Sequence, residues 1–435
     1  MGAKIGRCAP GHGLAAALMV LAASPAAAQD LKSELQRFLH DEAQATLQLR
    51  SYYFDRDNPR PPSNVALAGG GWIGLQSGWF YDTVQIGAVG YTTQPLRAPQ
   101  SPSETSDLTR LLKPGGYGFF ALGQAYASVR WHDQVFTAYR QSIDELEVNP
   151  RDNRMIPQTF EAYALRGAVG PVRYFGGYVA AMKPRDASDF INMAEAAGAL
   201  NANAGMLLGT LRYGNAETFG VRTGAYVVPD ILWSSYSDVA GTLKIDEDFR
   251  LQLAAQFGVQ GSNGANLLTG QPFGTFWAGG QAQALWGPFL LRVAYQQIGT
   301  AARWRSPYGV FIGYNKRQAH DFDQAGERSW QVAAGYDFAR VGVPGLRFQA
   351  SATYGSDAIV AGTATRLPEV WEYDLDLQFS ADRLALPEWL KPLQLRGRVG
   401  FVDRYLNGVV ASTTEYRVIL NYTVTWQGPR RAAAR

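Results

Sequence analysis

One cysteine among 435 residues, Cys8, leaves the chain without an internal disulfide and without a thiolate metal site. Long hydrophobic runs are missing too. Beyond the N-terminus no segment approaches the roughly 18 unbroken apolar residues of a membrane-crossing helix. The longest charge-free stretch, Leu251 to Leu291, is broken throughout by Gln, Asn, Gly and Pro, as expected of strands separated by turns. Charged residues make up only 18% of the chain, with 40 basic against 37 acidic. That balance gives no bulk signal for nucleic acid or an acidic polymer. There is no G-x-S-x-G or H-E-x-x-H pattern, and the four histidines are scattered. No cofactor or metal is expected. The spaced acids Asp321 and Asp323, before Gly326 and Glu327, lack the full ligand spacing of a calcium loop and read as an acidic external loop. Gly69-Gly70-Gly71 has no helix after it to make a phosphate cradle.

What is abundant is glycine (47 residues) and aromatic side chains (11 Trp, 22 Tyr, 21 Phe). The first 28 residues read as an export leader. Lys4 and Arg7 form its positive end, Leu14 to Ala23 its apolar stretch, and Ala26-Ala27-Ala28 a small-residue cleavage site before Gln29. Cleavage there would remove Cys8, which suits the periplasm or outer membrane of a Gram-negative cell better than a disulfide-stapled secreted domain. Residues 29–42 read as a short periplasmic segment, helical over Gln29 to Asp41, with Leu31, Leu35, Phe38 and Leu39 on one face.

From there the dominant pattern has period two. Leu251, Leu253, Ala255, Phe257 and Val259 alternate with more polar neighbours. So do Trp371, Tyr373, Leu375, Leu377 and Phe379, and then Tyr416, Val418, Leu420, Tyr422, Val424 and Trp426. Each stripe has one apolar face, the length of a tilted strand crossing hydrocarbon, with aromatics toward the stripe ends where lipid–water interfaces favour them. The pattern predicts eighteen strands near 43–56, 70–81, 83–93, 117–131, 134–141, 158–168, 171–181, 204–213 and 216–228, then 236–244, 249–260, 273–286, 288–298, 328–338, 346–355, 369–380, 392–404 and 415–426. Short connections at Tyr81-Asp82, His132-Asp133, Gly170-Pro171, Gly214-Asn215 and Gly287-Pro288 are expected to alternate strictly with long ones near 94–116, 142–157, 182–203 and 299–327. Short turns on one rim and long loops on the other mark an all-β transmembrane barrel over residues 43–426. Lipid offers no partners to backbone N–H and C=O groups, so such a sheet must close. Residues 427–435 form a basic C-terminal tail.

Several segments together resemble the OprD family of outer-membrane porins. They are Leu49-Arg50-Ser51-Tyr52-Tyr53-Phe54-Asp55-Arg56-Asp57, Leu122-Gly123-Gln124-Ala125-Tyr126, Ala138-Tyr139-Arg140-Gln141 and, most specifically, Asp152-Asn153-Arg154-Met155-Ile156-Pro157-Gln158-Thr159-Phe160-Glu161. Gly335-Tyr336-Asp337-Phe338-Ala339, Gly342-Val343-Pro344-Gly345-Leu346 and Leu395-Arg396-Gly397-Arg398 continue the match in order. The resemblance implies a monomeric eighteen-stranded barrel, an inward-folded third loop and a ladder of basic residues in the lumen. It places the ladder role on Arg140, Arg396 and Arg398. One departure is the end of the chain, where Gln427 to Arg435 follow the aromatic Trp426 that assembly machinery would read.

A pore needs width, charge and hydrogen-bonding groups on its wall, not a nucleophile. The polar stripes put Arg140, Arg292, Arg347, Arg396, Arg398 and Arg417 toward the lumen, with Arg130, Arg212 and Arg222 beside them. Such guanidinium groups can hand a carboxylate from one to the next. The same stripes carry Glu372, Asp374, Asp376 and Glu415, so cross-strand pairing that merely stiffens the wall is the competing reading. The third loop holds Asp144, Glu145, Glu147, Arg151, Asp152 and Arg154. Folded inward, its acids would oppose the arginines across the narrowest point and favour carboxylate or zwitterionic solutes. Expected partners are outer-membrane lipid and lipopolysaccharide, small polar solutes and the barrel-assembly machinery. A barrel-borne hydrolase and a non-transporting structural barrel remain as alternatives of a different class. The first would need a Ser–His pair on one rim and the second a plugged or apolar interior.

Overall fold

The computed structural model describes residues 25–97, 99 and 101–429. Residues 1–24 of the expected leader, with Cys8, and the last residues of the basic tail lie outside the described residues. Eighteen long antiparallel strands form one closed sheet. In chain order they are β1 (Gln44–Asp57), β2 (Ser63–Gln76), β3 (Val84–Arg97), β4 (Phe119–Trp131), β5 (Gln134–Gln141) and β6 (Thr159–Val169). Next come β7 (Val172–Lys183), β8 (Met206–Gly214), β9 (Phe219–Val228), β10 (Leu232–Lys244), β11 (Phe249–Gly261) and β12 (Gly274–Trp286). The last six are β13 (Phe289–Ile298), β14 (Arg328–Asp337), β15 (Leu346–Ser356), β16 (Glu369–Ser380), β17 (Leu393–Leu406) and β18 (Val409–Gln427). Two-residue pieces, Glu104–Thr105 and Ile191–Asn192, add to the sheet within loops.

Closure is by β1 against β18, in register from Gln44 opposite Gln427 to Asp57 opposite Thr414. Every strand therefore has two hydrogen-bonded neighbours, as lipid requires. Strand parity separates the two faces. On β18 the side chains of Tyr416, Val418, Leu420, Val424 and Trp426 are exposed, and on β16 those of Tyr373, Leu375 and Leu377. Between them Glu415, Arg417, Glu372 and Asp374 are buried inside. Aromatic contacts gather at both ends of the outward stripes. Phe289 meets Tyr336 at 5.0 Å near the short turns, and Tyr295–Trp330 (4.4 Å) and Tyr354–Trp371 (4.7 Å) lie toward the opposite rim.

The expected strict alternation of connection lengths is corrected. On the long-loop rim, residues 58–62, 229–231 and 407–408 make short connections, and on the short-turn rim residues 381–392 make a long one. The Asn407-Gly408 hairpin, with both residues at positive φ, carries β17 and β18 well beyond the apolar stripe. The last strand thus begins at Val409 rather than near 415. The second strand is also displaced, to Ser63–Gln76 from the expected 70–81. Gly69-Gly70-Gly71 lies within it, and Gly70 and Gly71 sit against neighbouring backbone: a Cβ on Gly70 would fall 2.2 Å from the Thr92 carbonyl oxygen.

The helical segment runs Pro25–Gln36 and continues as a π-helical turn, Arg37–Asp41. Phe38 packs edge-on to Phe80 at 5.6 Å and Arg37 donates to the Trp79 carbonyl. The helix is thereby seated on the first short turn.

Candidate pore constriction

The third loop on the long-loop rim, residues 142–158, leaves β5 and crosses the lumen instead of standing outside it. Its fold is a tight turn: Glu145 and Val148 exchange backbone hydrogen bonds at 2.8 and 2.9 Å, and Leu146 adopts a positive φ of 53°. The turn presses its acids into the inner wall. Glu145 accepts from Thr210 Oγ1 at 2.7 Å and from Arg212 at 2.8 Å. Glu147 accepts from Ser234 Oγ at 2.7 Å on β10 and from Trp304 Nε1 at 3.0 Å. Farther along, Asp152 meets Arg50 of β1 at 2.6 Å. The loop is thus tied to β8 and β10 on one side and to β1 on the other.

A second loop, residues 299–327, also folds inward. This corrects its reading as an acidic external loop. Gln296 Nε2 donates to the Phe322 carbonyl at 2.8 Å, Asn315 reaches Ser329 at 2.9 Å, and Glu372 accepts the backbone N–H groups of Ala319 and His320 at 2.7 and 2.8 Å. Its apolar anchor is an aromatic stack inside the barrel. Trp277 lies parallel to Tyr236 at 5.5 Å and meets Trp304 and Phe311 at 5.7 and 5.0 Å. Asp321 pairs with Lys316, and Asp323 with Arg303 at 2.8 Å. Asp323 is buried, which pushes its carboxyl upward. Between the two loops and the wall lies a cavity of about 390 Å³, with Asp144, Arg151 and Asp152 on one side, Arg212 and Arg222 on another, and Val310 and Ile312 closing it.

Around this narrowing the basic groups form a connected file. Arg185 lies within electrostatic reach of Arg154, Arg151 and Arg110. Arg154 reaches Arg417. Arg398 reaches Arg417 and Arg396, and Arg317 reaches Arg398 and Arg292. Carboxylates are fewer: within the same reach Asp374 and Glu372 act on Arg317, Asp374 also on Arg398, and Asp186 on Arg185, while at contact distance the file has two. Asp376 serves both Arg396 and Arg398, the latter at 3.1 Å, and Glu415 serves both Arg56 and Arg417. Among the described residues Arg154 and Arg185 show no ion pair within salt-bridge distance. Arg154 donates to the carbonyls of Thr109 (2.6 Å) and Asn153 (2.8 Å), and Arg185 to the Asn153 side chain. Burial, with Arg417 nearby, brings the Arg154 guanidinium down to about 9, so it stays cationic at neutral pH.

The expected lumen residues fall into four groups. Arg292, Arg396, Arg398 and Arg417 project inward; Arg292 bonds Gln283 at 2.7 Å. Arg130 and Arg347 have inward parity but sit at the short-turn mouth, paired with Asp82 at 3.4 Å and Asp337 at 3.1 Å. Arg140 is a correction. It shares the parity of exposed Phe136, not of Thr137, which meets Ser128 inside the barrel. It pairs with Glu161 at 3.5 Å and lies over Phe190 at the long-loop rim. Regular alternation counted from Phe136 already sets Arg140 on this side; its charge, not its parity, suggested the lumen. Arg222 pairs with Asp238 and Arg212 with Glu145.

The acids also differ from expectation. Glu147 bonds Ser234 and Trp304 and no arginine, whereas Glu145 does meet one of the expected arginines, Arg212 on β8. Glu372 holds a loop instead of pairing across strands. Arg50, Arg56, Arg185 and Arg317 were not singled out by the sequence. The first two stand beside Tyr52 and Phe54, which point inward yet are buried against Leu111, Leu112, Met155 and Ile156. An apolar lumen face disguises that strand's polarity. The quoted segment Leu49 to Asp57 does contain both arginines and was the available signal.

A closed barrel of this strand number with inward loops defines a general class, the outer-membrane porins. The sequence matches the family described as outer membrane porin, OprD family, over residues 36–426, and the chain belongs to that family. Among solved structures it is similar to OpdK of Pseudomonas aeruginosa, with 23% identity and a TM-score of 0.77 over 89% of this chain and 100% of that one. It is also similar to OpdG of the same organism (24%, 0.77, 88% and 98%) and to a BenF-like porin of Pseudomonas fluorescens Pf-5 (20%, 0.76, 88% and 99%). No curated protein matches. The chain is accordingly a porin of the Gram-negative outer membrane, and porins are channels that catalyse no reaction.

Proposed function

We propose that the barrel is a passive, substrate-selective pore for small carboxylates, including zwitterionic amino acids, acting as a monomer after removal of its leader. The observation that carries this reading is the shortage of carboxylates along the basic file. Two carboxyl groups, on Asp376 and Glu415, are shared among four arginines. A wall that were only cross-strand pairs would leave no donors over. Here guanidinium groups remain available for a passing anion, and in a narrow low-dielectric slot their attraction is little screened. The basic ladder is therefore assigned to Arg396, Arg398, Arg417, Arg317 and Arg292, with Arg154 and Arg185 at its outer end. Val310 and Ile312 in the cavity lining would accommodate an apolar body behind the carboxylate. One structure of OpdK contains vanillate, which makes that anion a suitable probe.

Liposome swelling with vanillate, benzoate and neutral sugars tests the proposal. Replacing Arg398 or Arg317 by Gln removes a charge while keeping a donor. A charge-assisted contact at a desolvated position is worth on the order of 1.5–3 kcal/mol, so carboxylate entry should slow roughly tenfold or more while sugar entry stays unchanged. Arg347→Gln, at the short-turn mouth, should have little effect. Equal carboxylate rates in all three variants would contradict the ladder.

A further inference from the structure

We propose that Glu147 is a proton-sensitive latch which holds the constriction loop and the loop of residues 299–327 in their inward positions, so that the pore fluctuates more as its proton is lost. The geometry singles out this side chain. Glu147 is only 5% exposed and sits at the tip of the tight turn that crosses the lumen. One carboxyl oxygen accepts from Ser234 on β10 and the other from Trp304 on the second loop. One group thus ties two loops to each other and to the wall. The contact continues in the backbone: a Cβ on Gly309 would fall 2.3 Å from the Glu147 carbonyl oxygen, and Asn149 N–H donates to Tyr308 O at 3.3 Å.

No cation is close enough to balance the charge. Glu147 faces Ser234 on β10, Tyr226 on β9, and Trp304 and Tyr308 on the second loop. On its own loop the nearest acid, Glu145, is paired with Arg212. Arg303 and Asp323, on the second loop, bond each other. Among the described residues Glu147 has no salt bridge, unlike the other carboxylates that seat loops against basic groups. A buried carboxylate without a cation is strongly disfavoured, whereas the neutral acid is tolerated.

Burial raises the Glu147 carboxyl from 4.5 to about 7, opposed by the hydrogen bonds from Ser234 and Trp304. The direction of the pH effect follows. Once the loop leaves its seat, the group returns toward its ordinary value. Seating is therefore strongest below pH 4.5, weakens as pH rises from there to about 7, and is constant at its weaker level above. Across that window one proton is linked to the equilibrium, which changes by about tenfold per pH unit. The carboxyl's place at three elements makes loss of that seat a movement of the constriction itself.

Single-channel recording in potassium chloride between pH 4.5 and 8.5 tests the latch independently of which solute the pore prefers. The expected result is a fraction of time in fluctuating substates that increases toward pH 7 and then levels off. Glu147→Gln should stay quiet and pH-independent. Ser234→Ala removes a bond that favours the charged form, so it should shift the upper edge of the window to higher pH. His320, on the second loop and facing Glu327 at 3.2 Å, supplies the control substitution. A pH transition that survives in Glu147→Gln, or one that disappears in His320→Gln while Glu147 is intact, would overturn the assignment. So would a wild-type channel with the same gating at every pH.

Discussion

A lipid-facing side chain and a lumen-facing one are separated by a single residue along a strand, and the cost of charge differs sharply between them. Leu375 faces outward on β16, between the inward Asp374 and Asp376. Leu375→Arg would place a guanidinium in hydrocarbon, with an expected penalty of about 2–4 kcal/mol near the bilayer midplane. Asp376→Asn, one residue on, touches no lipid. It would free Arg396 and Arg398 from their shared acid while Asn keeps an acceptor beside them, so its loss of stability should be the smaller of the two. Equilibrium unfolding in lipid vesicles distinguishes the two, and equal losses in both variants would contradict the assigned faces. At the same scale, sharing of one carboxylate by two arginines explains why pairing and transport are not exclusive. Asp376 and Glu415 position their arginines without neutralising them all.

The two inward loops are held by different means. The third relies on carboxyl groups bonded to the wall, the second on the aromatic stack around Trp277, which is fully buried. Removing a buried Trp side chain costs about 3–5 kcal/mol where neighbours cannot collapse into the space. In Trp277→Ala that loss should fall on the loop rather than on the barrel, because the strand hydrogen bonds of β12 remain. Limited proteolysis should then cut within residues 299–327, and open-channel conductance should increase. An uncut loop with unchanged conductance would show that the stack is not its anchor. The alternation of apolar and polar residues made most of the strands legible, since lipid imposes it on the outer face. It could not reveal the loop inside the barrel. Loop residues such as Asp321, Asp323 and His320 are polar, as external loops are, and only the complementary inward groups on distant strands draw them in. Glu372 receiving the backbone of Ala319 and His320 is one example. Arg140 was misplaced for a different reason: its charge was read as facing the lumen although its parity with Phe136 sets it on the outward side at the rim, beside Glu161.

At the scale of the whole molecule, closure sets everything else. Pairing β1 with β18 brings Arg50 beside Asn421, with Nε to Oδ1 at 2.7 Å. It also places the arginines of β17 and β18 opposite the far end of the crossing loop, so residues more than 250 positions apart in sequence share one narrow passage. Neither the strands nor the loops alone create the field. It arises because a closed wall excludes lipid while two loops displace water from its centre. The central claim is that this field favours organic anions. The most direct measurement is the reversal potential of the purified channel in a planar bilayer separating two concentrations of potassium vanillate. The account predicts a potential displaced toward the equilibrium potential of the vanillate anion, and reduced in Arg398→Gln. A potential at the potassium equilibrium value, unchanged by that substitution, would contradict it.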